Sequence, residues 1–325
     1  MFTIVFMILR FSASVNAGNR RASEFEALAR KWAPLIRLDK CELWKPSSVD
    51  FFLKNVNLVS GDGKIIKTQL DSCNLPQCDE NCYLQTKEEI PTPSTWDLKF
   101  FFGQSLSDVP LYVFIDQTNP TRLRIRYSVF SPYNRGKPVC IGRILRDHCP
   151  CELIQGKCFC PRETKCEGYY KEFGHHVSDW EYMDLFFDPT GRIPAAINLI
   201  SHGIPAVYFF NGKDFVNRQT GQKIQFHGTH PIAYKTRGSH GFRSAAGEVV
   251  YFRLFGNNEL SDITSDGEEW KTWENLQITQ VKRKYTGDFS FANYKGRWGN
   301  LKRGCEFYEA VSGECILGNG IRLSI

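Results

Sequence analysis

The stretch Gly174-His175-His176-Val177-Ser178-Asp179-Trp180-Glu181-Tyr182-Met183-Asp184-Leu185-Phe186-Phe187-Asp188 decides the fold. Its second half reads as a strand of aromatic and apolar residues, closed by a Pro189-Thr190-Gly191 turn. Side chains of a strand alternate between faces. Asp179, Glu181, Met183, Leu185 and Phe187 therefore share one face, and Trp180, Tyr182, Asp184 and Phe186 the other. The first face holds two carboxylates at the mouth of an apolar row. Charge at such a place needs a partner, because an unpaired ion near low dielectric is costly. His176 lies three residues before Asp179, where the chain enters the strand. His, Asp and Glu converging there can hold a cation or form an acid/base pair. The plainer alternative pairs a carboxylate with an arginine at the core edge and leaves His176 in a loop.

Outward from this stretch, short apolar runs recur. Leu35 to Leu38, Leu111 to Asp116, Leu123 to Phe130, Ala195 to Ile200, Ala206 to Phe210, Pro231 to Lys235 and Val249 to Phe255 read as strands. Arg122, Arg124 and Arg126 alternate with Leu123, Ile125 and Tyr127, which predicts a half-exposed strand. Asn211-Gly212 predicts a hairpin turn. Ser131 to Gly136 and Asp262 to Gly267 read as turns. Helical spacing is confined to a segment beginning at Glu24 and ended by Pro34, and to Ser47 or Ser48 capping Phe51-Phe52-Leu53. Many short strands with few helical periods predict an all-β, single-domain β-sandwich with long disulfide-stapled loops and a few short helices. The domain covers 18–325, with Cys-rich insertions near 60–100 and 138–166, both read as loops.

Composition narrows the setting. Of 325 residues, 42% are hydrophobic and 23% charged, within the soluble globular range. The net charge of +6 is spread along the chain. No basic cluster with interleaved aromatics recurs, which argues against nucleic acid. Residues 1–17 read as a secretory signal peptide, with an apolar run from Phe2 to Leu9 and Val15-Asn16-Ala17 at the cleavage position. No later run is long enough to span a membrane. The expected location is outside the cell or in the lumen of the secretory pathway. Twelve cysteines behind a signal read as disulfides, with Cys305–Cys315 the pair isolated near the C-terminus.

A second histidine-bearing loop bears on the first site. His240 lies in Arg237-Gly-Ser-His-Gly-Phe242, whose glycines allow close backbone approach. If this loop meets the mouth of the 176–181 strand, His240 is a fourth ligand. Ser239 carries no hydrolase signature, since no Gly-x-Ser-x-Gly elbow occurs. Trp270, Trp273 and Trp298 read as core. His176, Asp179, Glu181 and His240 suit Mg²⁺, Ca²⁺ or Mn²⁺ better than a closed zinc site.

Several segments together resemble the vacuolar protein sorting-associated protein 62 family. They are Leu28-Ala-Arg-Lys-Trp-Ala-Pro34, Pro46-Ser-Ser-Val-Asp-Phe-Phe-Leu53, Tyr127-x-x-Phe130-x-Pro132-Tyr133-Asn134-x-Gly136, His176-x-x-Asp179-Trp180-Glu181, Gly238-Ser-His240 and Tyr294-Lys-Gly-Arg-Trp-Gly299, with Asp262 to Trp273. That resemblance implies a non-catalytic sorting or structural role. His176-x-x-Asp179-Trp180-Glu181 is also similar to the Gly-His-Arg-His-Asp-Trp-Glu heptapeptide of the necrosis-inducing (NLP) cytolysins. His175 stands where that motif has glycine, and Glu167 or Glu172 would be its upstream acid. This second resemblance implies a secreted β-sandwich that binds a divalent cation and a membrane glycolipid or glycan. A metal-assisted hydrolase is a further alternative.

Overall fold

In the computed structural model, residues 22–90, 98–119, 121–146, 152–154, 157–159, 164–188, 191–253, 259–305 and 315–325 are described. Residues 1–17, expected as a signal peptide, lie outside them, as do Cys149, Cys151 and Cys160. A seven-stranded sheet forms the middle of the molecule. Its strands run, edge to edge, Phe215–Val216, Ile204–Phe210, Ala196–Ser201, His176–Phe187, Leu123–Asn134, Leu111–Asp116 and Leu276–Gln280. All neighbours are antiparallel except the last pair.

Both faces of this sheet are buried, and alternation sorts the residues between them. Val113, Ile125, Tyr127, Met183, Leu185 and Phe187 enter one core. A second sheet covers that core, in the order Phe226–His227, His230–Lys235, Leu35–Arg37, Glu269–Lys271, with Phe242–Arg243 also on His230–Lys235. A helix over 22–31 adds Phe25 and Ala29 to the same core, and Tyr127 donates its hydroxyl to the Ala29 carbonyl. Tyr112, Phe114, Phe130 and Trp180 enter the opposite core, beneath the helix Val49–Leu53 and the aromatic segment Phe289 to Trp298. Trp180 sits there 4.8 Å from Phe130 and 5.4 Å from Trp298, ring to ring. Each such pair contributes about 0.5–1.5 kcal/mol beyond its burial. The architecture is the all-β sandwich that the strand pattern predicts, thickened by an aromatic third layer.

Ser178 breaks the alternation. Its φ is 66°, a left-handed conformation unusual inside a strand. Val177 and Trp180 consequently enter the same core although they are three residues apart. The partner strand matches this with Tyr133 and Phe130, which face them in register. The phase reset leaves Asp179 beginning the inward row that continues to Met183.

Several expectations are corrected. The segment 138–166, expected as loop, begins a long antiparallel ribbon of Lys137–Arg146 against Thr164–Phe173, tied by Cys140–Cys166. Within the ribbon Val139, Cys140 and Phe173 are buried but Tyr169 and Tyr170 are exposed, so its apolar residues mark no single buried face to read. The expected loop 60–100 includes strands Ile65–Lys67 and Tyr83–Thr86, paired with Val56–Val59. Ser131 to Asn134, expected as turn, extends the central strand, because Tyr133 has a core to fill. Asp262 to Thr264 belongs to a strand, Glu259–Thr264, rather than a turn. Arg126 is buried against Asp184, not half-exposed. Cys73 is a free thiol, so the twelve cysteines do not all pair. Cys305–Cys315 is formed as expected. Ser48 caps its helix through the Phe51 amide, and Trp270 and Trp298 are core as read.

Candidate functional site

The site forms where the left-handed Ser178 turns the strand start toward the loop 236–241. That loop closes on itself, with His240 N donating to Thr236 O and Thr236 N donating to Gly241 O. Gly238 has φ 72° and gives its amide to the Glu42 carboxylate at 2.8 Å. A Cβ on Gly241 would meet the Ser201 hydroxyl at 2.2 Å, so only glycine lets the loop seat here. His240 itself has φ 62°, a second left-handed non-glycine residue at the site. Strain of this kind persists only where surrounding structure enforces it, and it collects at functional positions.

His240 is fully buried and lies between two elements. Its Nε2 is 2.9 Å from the Trp44 carbonyl, which can only accept, so Nε2 carries the proton. Nδ1 faces Asp179 Oδ2 at 3.3 Å. Burial first, and then the charge of Lys235, pulls the His240 pKa down, which favours the neutral ring. In that ring Nδ1 is a lone pair. A lone pair and a carboxylate oxygen therefore face each other with no proton assigned between them.

His176 repeats the arrangement. Its Nδ1 is 2.6 Å from the Ser178 carbonyl and must donate to it. Its Nε2 has no bonding partner among the described residues. A histidine that ligates a metal usually gives its other N–H to a carbonyl or carboxylate in this way. Glu181 is half-buried and forms no hydrogen bond or ion pair with any described residue. Burial pushes its pKa well up, and the Asp179 charge adds to that. Burial pushes Asp179 the same way, but the His240 contact and the positive charge of Lys235 outweigh it and hold the group low.

The expected set is thus brought to one place unevenly. Asp179 and His240 touch; Glu181 and His176 flank them with unused acceptors. Among the described residues, no three of these four bring ligand atoms within 4.8 Å of one another, so closing round an ion requires side-chain rotation at Glu181 or His176. Cys78, Asp79 and Cys82 do lie that close, but Cys78 and Cys82 are disulfide-bonded and offer no thiolate. In kind, the donors fit a hard divalent cation: carboxylates, carbonyl-oriented imidazoles and facing lone pairs.

Two residues of the site escaped sequence reasoning. Glu42 reaches to 4.0 Å from His240 Nε2 and is otherwise held by the Trp44 and Gly238 amides. It stands in an irregular segment and has no pattern to betray it. Lys235 is 1% exposed and donates to Ser131 Oγ at 3.0 Å. Burial lowers its pKa to about 8, against the pull of Asp179, Glu42 and Glu181. Its strand phase could have found it: Lys235 follows buried Ala233 by two residues and so points inward. His175 is a structural neighbour, accepting from the Gly136 amide at 3.0 Å and facing Glu172 at 3.3 Å. Glu172 also pairs with Arg135, and Glu167 lies exposed on the ribbon, so neither belongs to the cluster.

Fold and site together define an all-β sandwich with a recessed carboxylate–imidazole cluster at one end of its central sheet. No protein-family profile matches the chain, and no curated protein matches it. Solved structures similar to it are those of NLP proteins. Necrosis and Ethylene inducing Protein 2, from the causal agent of cocoa's witches' broom disease, is 13% identical over 67% of this chain and 67% of that one, with a TM-score of 0.30. NLPPya in complex with mannosamine is 14% identical over 78% and 72%, at 0.32. NLPPya in complex with glucosamine is 11% identical over 81% and 75%, at 0.34. These are the proteins to which the heptapeptide resemblance points. Scores this low carry no argument about activity. The resemblance to the vacuolar protein sorting-associated protein 62 family stays a matter of motifs.

Proposed function

We propose that this is a secreted protein that takes a divalent cation, Mg²⁺, Ca²⁺ or Mn²⁺, at Asp179, Glu181, His176 and His240. The cation then engages the hydroxyl groups of a glycan or membrane glycolipid headgroup. One observation carries the reading: His240, with its proton committed to the Trp44 carbonyl, turns a lone pair on Asp179 Oδ2 at 3.3 Å. Two ligands of one ion, each about 2.1–2.3 Å from it at a right angle, stand about 3.0–3.3 Å apart. The unpaired carboxylate of Glu181 and the free Nε2 of His176 supply further donors. A hard cation left with open positions takes water or sugar hydroxyls, which is the chemical ground for a glycan. The protein's own residues would hold and orient the ion; the ion would polarise and position the hydroxyls.

The test is binding of the purified protein to glycolipid-bearing vesicles and to a glycan panel, with Mn²⁺ and with EDTA. Binding that needs the ion and is lost in Asp179→Asn, with the fold retained, supports the reading. Binding of equal strength in EDTA overturns it.

A further inference from the structure

The candidate cation site already contains a positive charge of the protein's own. Lys235 leaves the second sheet at the end of His230–Lys235 and buries its whole side chain between the sheets. Its ammonium has three hydrogens, yet only one acceptor among the described residues, Ser131 Oγ at 3.0 Å. Ser131 is the cross-strand partner of Asp179, so the ammonium hangs over the row from which Asp179 projects. Directly opposed strand residues have Cβ atoms about 4.5–5.5 Å apart. The groups whose charges act on Lys235 are Asp179, Glu42 and Glu181, the same carboxylates that a cation would need. A buried ammonium is retained when carboxylates balance it, and such carboxylates are the less free to bind anything else.

We infer that Lys235 is the built-in counter-ion of the Asp179, Glu181 and Glu42 cluster and competes with a divalent cation for it. Lys235 then sets how tightly this site binds an ion. With the ammonium in place, three carboxylates and one fixed positive charge face an incoming ion; without it, the same donors present their full negative charge. The inference rests on the proposed cation site and concerns a residue that would not itself touch the ion.

The experiment is calorimetric titration of the full chain with MnCl₂ alone, comparing wild type with Lys235→Gln and Lys235→Met. Gln keeps a donor for Ser131, and Met keeps length and apolar bulk; both remove the charge. The second readout is the melting temperature with and without Mn²⁺. The expected result is Mn²⁺ affinity at least tenfold higher in either neutral variant, with a lower melting temperature in EDTA that Mn²⁺ restores. Lys235→Arg, which keeps the charge, should stay within about threefold of wild type, since a unit charge is unchanged. Equal affinity in wild type and neutral variants overturns the inference and leaves the cation site standing. Binding in the neutral variants but not in wild type supports the inference and removes cation dependence from the proposed function. No binding in any of them overturns both.

Discussion

His240 gives its Nε2 proton to the Trp44 carbonyl at 2.9 Å and turns Nδ1 on the Asp179 carboxylate at 3.3 Å. This contact joins the two sheets of the sandwich at their polar end. Asp179 comes from the central sheet, His240 from a loop that follows a strand of the second sheet. The contact is possible because Ser178 and His240 both adopt left-handed backbone. Neither conformation is cheap for a side-chain-bearing residue, and each costs on the order of 1–3 kcal/mol. The fold spends that strain on bringing the His240 ring and the Asp179 carboxylate face to face, an arrangement that a bound cation would relieve.

Metal addition should therefore raise stability. At a free concentration a hundredfold above Kd, a bound ion adds about 2.7 kcal/mol. For a chain of this size that is on the order of 5 °C in melting temperature. Differential scanning calorimetry in EDTA and in Mn²⁺ should show this upward shift for wild type. Asp179→Asn and His240→Gln should each abolish the shift. Persistence of the full shift in Asp179→Asn would place the ion elsewhere.

Asp262 gives the acid limb of stability. Its carboxylate is almost wholly buried and accepts from Ser201, His202, Ser239 and Arg243, with Lys137 at 3.7 Å. Burial pushes its pKa up, but the His202 bond, the Lys137 charge and the Arg243 bond prevail and hold it far below the usual carboxylate range. An unfolded Asp titrates near pH ~4. Below that pH the unfolded chain takes up the proton that the folded chain refuses, so stability falls with pH. The contribution is fully present above about pH 4 and is lost as pH drops through the lowered folded value. Asp262→Asn should flatten this limb of a urea-denaturation series between about pH 4 and pH 2. At pH 7, Asp262→Ala should cost about 3–5 kcal/mol, because Arg243 and Lys137 lose their common partner. An unaltered acid limb in the Asn variant would assign it to another group.

Cys73 should be the residue labelled in the native, unreduced protein among the described cysteines. It is exposed and carries no disulfide, and its thiol lies 3.5 Å from Asp288. Burial of the sulfur, with smaller help from Asp288 and Asp71, pushes its pKa up. Only the thiolate reacts. Labelling by iodoacetamide should be slow at pH 7 and accelerate toward pH 9 and beyond. Cys73→Ser should remove the modified peptide in mass spectrometry and change stability by less than about 0.5 kcal/mol, as expected of an exposed site.

The sandwich was legible wherever a buried face imposed a period. Met183, Leu185 and Phe187 could be read because each fills one core from one side of one strand. The ribbon Lys137–Arg146 and Thr164–Phe173 could not, since its apolar residues divide between buried Val139 and Phe173 and exposed Tyr169 and Tyr170 and set no single period. Asp179 and Glu181 stood out as charge in an inward row, and His240 as a histidine between glycines. Lys235 and Glu42 did not, because charge at a strand end or in an irregular segment ordinarily means solvent. What joins these five groups is the docking of one sheet on the other, which no local pattern records. Arg126 misled for a related reason. Its alternation with Leu123 and Tyr127 is correct, but the second face is also buried.

Arg126 and Asp184 make the other buried charge pair of the central sheet, on the face opposite the candidate site. Nε and Nη2 of Arg126 each donate to Asp184 at 2.7 Å, and Nη1 donates to the Ser324 carbonyl at 3.0 Å. The guanidinium also lies 3.7 Å over the Tyr182 ring. The pair is bidentate and desolvated, so removing one member should hurt far more than removing both. Asp184→Ala alone should cost about 3–5 kcal/mol in urea denaturation. The double variant Arg126→Met with Asp184→Leu should lie within about 1 kcal/mol of wild type, a coupling that only contacting residues show. The double variant also releases the chain end that Arg126 holds. Hydrogen exchange over Ile321 to Ile325 should then rise although global stability is recovered. Unchanged exchange there would mean that the packing of Ile321, Leu323 and Ile325 on the aromatic core, rather than the guanidinium, anchors the C-terminus.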